Sequence, residues 1–225
     1  MPLIYISPST QNYNVYAYAA TNEAVQMQKI AEKTVELLRS YGCQAVLPGL
    51  YTDVEKRISE ANAMGADCYV ALHSSGGGGS GAEGFYNPEK EGSNQLCEYI
   101  YKAVAHIGPS EGRGVHNGMA AYGGLGYTEL RLVKQAPCII KVEFHDRTDL
   151  ARWICEHTAE IAVAVTAGIL RYFNMCNQQI CGQADSETHF YRLYMQYGVY
   201  PTAESAAQAE EILKDMGFPC YTFFD

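Results

Sequence analysis

What most limits the fold of this chain is an alternation, repeated from Leu3 to Tyr172, of short apolar segments with segments of helical period. LIYIS (3–7) reads as a strand. After the polar loop SPSTQNYNVYAYAA comes a helix in which Ile30, Thr34, Leu37, Leu38 and Tyr41 share one face before Gly42 ends it. The order recurs as strand CQAVL (43–47), helix Val54–Met64, strand CYVALH (68–73), a Gly-rich loop, a strand around Gly84–Tyr86 and a helix Asn94–Ile107. Residues 108–127 are rich in glycine and predict a long surface loop. Strand CIIKVEF (138–144) follows, and Ile154, Ile161, Val165, Ile169 and Tyr172 predict one closing helix. Strands alternating with helices predict an α/β fold, a twisted, mostly parallel sheet with helices on both faces.

That pattern fills a domain over residues 1–175, followed by a polar, unpatterned linker over 176–187. Residues 188–225 predict a small βαβ unit, with FYRLYMQYGVY as strand, Ala203–Met216 as helix, Gly217 as its stop and FPCYTFF as strand. GGGGSG (76–81) has a linker's composition, but strand-like segments flank it closely and place it in a loop at the sheet edge. It is no phosphate loop either, since no GK[ST] follows and the next segment, GFY, reads as strand. A net charge of -9 with no basic cluster excludes nucleic acid as a partner. No apolar run reaches the roughly 18 to 20 residues of a membrane span, and the opening MPLIYIS lacks the regions of a signal peptide. The eight cysteines show no CxxC pair. Cys68, Cys138 and Cys155 lie in apolar segments and are expected as buried thiols, while Cys176 and Cys181 are close enough for a local bridge.

Parallel α/β sheets bind ligands beyond the carboxyl ends of their strands. The polar residues there are SPSTQ after the first strand, His73 after the third and Glu143 after the late one, with Glu23 in the turn that opens the first helix. Two carboxylates and an imidazole on one rim suit a metal hydrolase, because catalytic zinc takes about three protein ligands from His and Glu and keeps a position for water. Each residue has a plainer reading. Glu23 complements the positive end of a helix capped by Thr21 or Asn22, and His73 is a satisfied polar residue at a strand end. Glu143 is the least easily explained away, since a carboxylate after CIIKV is costly to bury without a partner.

The order SPSTQ, TNEA, ALHSS, ELR, KVEFHD over roughly residues 3 to 173 resembles that of zinc-dependent N-acetylmuramoyl-L-alanine amidases. The resemblance implies an amidase-like sheet and hydrolysis of the amide between N-acetylmuramic acid and L-alanine in peptidoglycan. It makes Glu23 and His73 zinc ligands and Glu143 the catalytic base, and it matches Arg131 of TELRLV to an arginine the family commonly keeps, a candidate for substrate binding whose plainer role is a structural ion pair. It also implies action at the cell wall; with no signal peptide, that suits a phage-type lysin, a trimmed chain or an intracellular form. One element departs from the family. Its first ligand is a His in a DPGHG-like turn, where this chain has Thr10 or Gln11. Gln11, Asn14 and His145 are the candidates to fill the gap, with His145 the strongest donor; its other role is to hydrogen-bond substrate. In an extended strand Glu143 and His145 point to one side. Tyr13, Tyr16 and Tyr18 offer flat faces to sugar rings.

The missing ligand raises a competing reading, a degenerate amidase fold that only binds cell wall or a partner. The tail resembles half of a sporulation-related peptidoglycan-binding (SPOR) repeat. A unit this small cannot bury enough apolar surface alone, so it needs either its own catalytic domain or a second copy. Tyr191, Leu193, Met195, Tyr221 and Phe223 would otherwise expose an apolar face, which favours a homodimer.

Overall fold

A computed structural model describes residues 1–175. Six strands form one sheet in the order β2-β1-β3-β6-β4-β5, where β1 is Leu3–Pro8, β2 Gln44–Val46, β3 Cys68–Ser75, β4 Glu83–Tyr86, β5 Gly114–Asn117 and β6 Ala136–Phe144. Every pairing is parallel except β4 with β6. The mostly parallel sheet is therefore borne out, with one antiparallel step. The expected linker over 176–187, the βαβ unit over 188–225 and the dimer through it lie outside the described residues.

Seven α-helical segments connect the strands: α1 Glu23–Ser40, α2 Val54–Met64, α3 Ser93–Ile107, α4 Ala121–Gly124, α5 Thr128–Leu132, α6 Thr148–Glu156 and α7 Thr158–Tyr172. Local chemistry sets their ends. The Asn22 side chain accepts from Val25 N to start α1, Asp53 accepts from Glu55 N and Lys56 N to start α2, and Gly65 ends α2 in the left-handed conformation. Helices α1, α3 and α7 cover one face of the sheet. On the other, α2 and α5 pack Ile58, Ala61, Leu130 and Val133 onto Tyr5, Tyr69, Ala71 and Ile139. Because side chains alternate along a strand, Ser7, His73 and Lys141 continue this second face towards the carboxyl ends of β1, β3 and β6.

Three expectations are corrected. The stretch 108–127 is not all loop, since Gly114–Asn117 pairs with β4 as the sheet's edge strand and a 3-10 turn covers Gly118–Ala120. The closing helix is two helices bent by 73° at His157, whose ring Nδ1 lies 2.9 Å from the Trp153 carbonyl. Cys68, Cys97 and Cys138 are buried thiols, whereas Cys155 is only half-buried. Among the described residues no single helix is long and apolar enough to cross a membrane.

Candidate active site

The carboxyl ends of β1 and β3, the first turn of α1 and the short α5 meet around His73. Its Nδ1 lies 2.9 Å from Glu23 Oε1, which also accepts from the Ser74 backbone N–H at 3.2 Å. Glu23 Oε2 accepts from Asn14 Nδ2 at 2.6 Å, and the same amide donates to Gln11 Oε1 at 2.5 Å. The loop before α1 is folded back to allow this, with Glu23 N donating to Asn14 O. Glu23 is wholly buried, so its place in the first turn is more than a complement to the helix dipole.

The opposite side of the imidazole faces another carboxylate, with Nε2 3.6 Å from Glu129 Oε2. Glu129 Oε1 accepts from Ser7 Oγ at 3.0 Å and from Tyr69 Oη at 2.7 Å. Behind Ser7 the fully buried Arg57 donates through Nη1 to Ser7 Oγ and to the Pro8 carbonyl, while its Nε and Nη2 have no partner. Burial works against charge on all three central groups, yet mutual attraction wins. It pushes the His73 ring down, but the flanking Glu129 and Glu23 carboxylates bring it up to about 9. Burial likewise raises Glu23 and Glu129, but the bonds and charge from His73, with Asn14 and Ser9 at Glu23 and Tyr69 and Ser7 at Glu129, leave both below the usual carboxylate range.

At the end of β6 the register against β3 shifts, with His73 opposite Lys141 but Ser75 opposite Phe144. The strand stops at Phe144, one residue before His145, whose N–H still donates to the Ser75 carbonyl of β3. Glu143 is completely buried; its Oε1 accepts from Gly81 N at 2.6 Å and Phe144 N at 2.9 Å, and its Oε2 has no partner. His145 stacks on Tyr16 at 5.4 Å, and its Nδ1 lies 2.9 Å from Ser74 Oγ, which accepts from Tyr16 Oη at 3.0 Å. Burial lowers the pKa of His145, against the charges of Glu23 and Asp146, and so favours the neutral ring. The glycine loop gives its N–H groups to the protein's own acids: Gly77 and Gly78 donate to Asp146 Oδ2 at 2.6 and 2.7 Å, and Gly81 to Glu143.

Gly81 has φ +97°, and a Cβ there would run into the Glu111 carbonyl. Gly81→Ala is accordingly expected to destabilise the fold by about 1–3 kcal/mol or more, since the backbone must leave a region closed to L-residues. Denaturant unfolding checks this, and a variant as stable as wild type would contradict it.

The structure thus brings Glu23 and His73 into direct contact and ties His145 to the same cluster through Ser74. Glu143 sits at the adjoining strand end, bonded to the glycine loop. Arg131 lies on α5 with its side chain exposed, two residues from the inward Glu129. Of the loop tyrosines, Tyr13 is exposed, Tyr18 is half-buried with its Oη on Glu156, and Tyr16 is buried, so Tyr16 offers no face to a sugar. Sequence reasoning assigned nothing to Glu129, Ser74 or Arg57.

Among the described residues no group of three or more His, Cys, Asp or Glu side chains could hold a metal ion. The reason is geometric: Glu23 and Glu129 approach opposite nitrogens of the ring and share no common point with it. Two strong donors do converge, Glu23 Oε1 and His73 Nδ1, with the amides of Asn14 and Gln11 beside them. An imidazole and a carboxylate are donors zinc accepts, but the amide group that faces Glu23 is the Asn14 NH2, which offers a metal no lone pair, so the described residues supply two of the about three protein ligands a catalytic zinc takes.

Solved structures sharing this fold include the N-acetylmuramoyl-L-alanine amidase AmiC2 of Nostoc punctiforme, with 18% identity, TM-score 0.66 and coverage of 77% of this chain and 97% of that one. The catalytic domain of CwlV, an N-acetylmuramoyl-L-alanine amidase from Bacillus (Paenibacillus) polymyxa var. colistinus, has 16% identity and TM-score 0.67, covering 78% and 99%. An N-acetylmuramoyl-L-alanine amidase from Clostridium difficile 630 has 19% identity and TM-score 0.67, covering 77% and 97%. At these identities the likeness shows the fold. Residues 9–171 match the family described as N-acetylmuramoyl-L-alanine amidase, and the chain belongs to that family. No curated protein sequence matches the chain. Its enzyme class is therefore that of amidases acting on peptidoglycan, and the degenerate binding-module reading is not favoured.

Proposed function

We propose that this amidase cleaves the bond between N-acetylmuramic acid and L-alanine at the cell wall with the help of one zinc ion held by Glu23 and His73. The observation that carries the reading is the 2.9 Å approach of Glu23 Oε1 to His73 Nδ1 at the carboxyl end of the sheet. Bound there, zinc would supply a Lewis acid and lower the pKa of a water towards ~7. Glu143 acts as the base: with Oε1 fixed by Gly81 and Phe144, Oε2 is the oxygen that takes a proton from water and delivers it to the leaving L-alanine nitrogen. Tyr16 donates to Ser74 Oγ, which leaves the Ser74 hydroxyl proton for His145 Nδ1. Neutral His145 then carries its proton on Nε2, from which it donates to the carbonyl oxygen as charge builds there. Arg131, exposed on the helix that carries Glu129, is the proposed contact for an acidic group of the substrate.

The reading predicts a proton balance. His73 enters the metal-free site charged, since its pKa is raised to about 9, and it must be neutral to bind an ion. Zinc binding at pH 7 is expected to release about one proton, and affinity should rise with pH until His73 loses its proton unaided. Calorimetric titration in buffers of different ionisation enthalpy measures the release. Zinc uptake with no proton released would count against His73 as a ligand.

A further inference from the structure

Residues 76–81 (GGGGSG) join β3 to β4 with Ser80 as the only side chain larger than hydrogen. Glycine loses more backbone freedom on ordering than any other residue, so a loop of this composition needs fixed ties to keep one path. The path itself requires glycine. Gly77, Gly78 and Gly81 have φ of +112°, +73° and +97°, and a Cβ on Gly79 would run into the Phe144 ring. A Cβ on Gly76 would come within 3.3 Å of His145 Nε2. The loop is thus folded closely against the residues that end β6.

Three of its backbone donors bond to acids of that segment. Gly77 N and Gly78 N donate to Asp146 Oδ2 at 2.6 and 2.7 Å on the exposed side, and Gly81 N donates to Glu143 Oε1 at 2.6 Å in the interior. Burial works to raise the pKa of Asp146, but the two glycine N–H groups take it below the usual carboxylate range, so both bonds run to a charged acceptor at neutral pH. Glu143 Oε1 accepts one further bond, from Phe144 N. That donor is the next residue of the chain and stays with Glu143 wherever the loop goes. Gly81 N is the donor that the loop controls.

We propose that Asp146 is a positioning residue of this enzyme, latching the glycine loop so that the Gly81 N–H stays on Glu143 Oε1 and Oε2 keeps its direction. The inference rests on the reading of Glu143 as the base. Asp146 acts through the loop backbone and carries no proton in the reaction.

The test uses the full chain, Asp146→Ala and Asp146→Asn. Hydrogen exchange of the loop amides is read by NMR, beside kcat and KM for release of L-alanine amino groups from soluble peptidoglycan fragments. Asp146→Ala is expected to speed exchange at Gly77, Gly78 and Gly81 by about 10-fold, the scale of one bond to a charged acceptor, and to lower kcat by about 10-fold with KM nearly unchanged. Asp146→Asn keeps an oxygen that can accept both N–H groups and is expected to stay close to wild type in both readouts. Faster exchange confined to Gly77 and Gly78 would overturn the proposal, because the latch would not reach Glu143, and so would an Asp146→Ala kcat equal to wild type. An Asp146→Asn rate as low as that of Asp146→Ala would also overturn it, since the charge of Asp146 beside His145 would then be what counts. A wild type that releases no L-alanine amino groups defeats the amidase reading instead, and exchange at Gly81 still decides whether Asp146 holds the loop.

Discussion

Glu143→Gln is expected to lower amide hydrolysis at least about 100-fold while leaving fold and zinc content intact, the scale on which a positioned general base contributes. The side chain is completely buried, and two backbone N–H groups hold its Oε1. Glutamine can keep both bonds by turning its carbonyl oxygen to Gly81 and Phe144, which puts an NH2 where Oε2 was. That group cannot take a proton from water. The substitution therefore separates chemistry from structure. Release of L-alanine amino groups from purified peptidoglycan gives the rate, and circular dichroism with elemental analysis gives the controls. A variant retaining more than a tenth of the rate would remove Glu143 from the role of base.

His73→Ala is expected to abolish zinc binding and to destabilise the metal-free protein as well. Losing the imidazole takes away one of the two strong donors and leaves neutral amides that bind zinc poorly. It also strips the buried Glu23 of its charged partner, although Asn14 and the Ser74 N–H continue to bond to it. Removing one member of a buried ion pair costs about 3 kcal/mol or more where nothing else compensates, and these remaining donors put the expected loss at or below that figure. Elemental analysis of both proteins after identical purification measures the metal, and equal zinc in the two would sink the ligand assignment.

The elements most legible in the sequence were those whose period is long and unbroken. Helix α2 was expected over Val54–Met64 and is found there, because its cap Asp53 and stop Gly65 bracket it. Strand β6 was visible from its apolar run. Strand β5 was not, since GVHN has no alternation of its own and exists through its pairing with β4. The break between α6 and α7 was hidden because Ile154 and Ile161 keep a helical spacing across it, while His157 turns its ring back onto the Trp153 carbonyl.

The site divides the same way. Glu23 and His73 were legible because polar residues at strand ends and helix starts stand out against apolar neighbours. Glu129 was not, for a five-residue helix shows no period and its neighbour Arg131 drew the assignment. The clue available was Arg57. It falls beside Ile58 and four residues before Ala61, the two positions with which α2 meets the sheet, and a guanidinium there calls for a buried acid within reach.

The central claim is that this chain hydrolyses the amide that ties the peptide stem to muramic acid. Incubating the full chain, supplied with zinc, with purified peptidoglycan of several wall types and labelling new amino termini tests it directly. The account predicts that L-alanine amino groups appear without new reducing sugar ends, that a chelator stops their release and that added zinc restores it. Peptidoglycan that sediments with the protein yet yields no L-alanine amino groups from any wall type would contradict the account and leave a wall-binding module in its place.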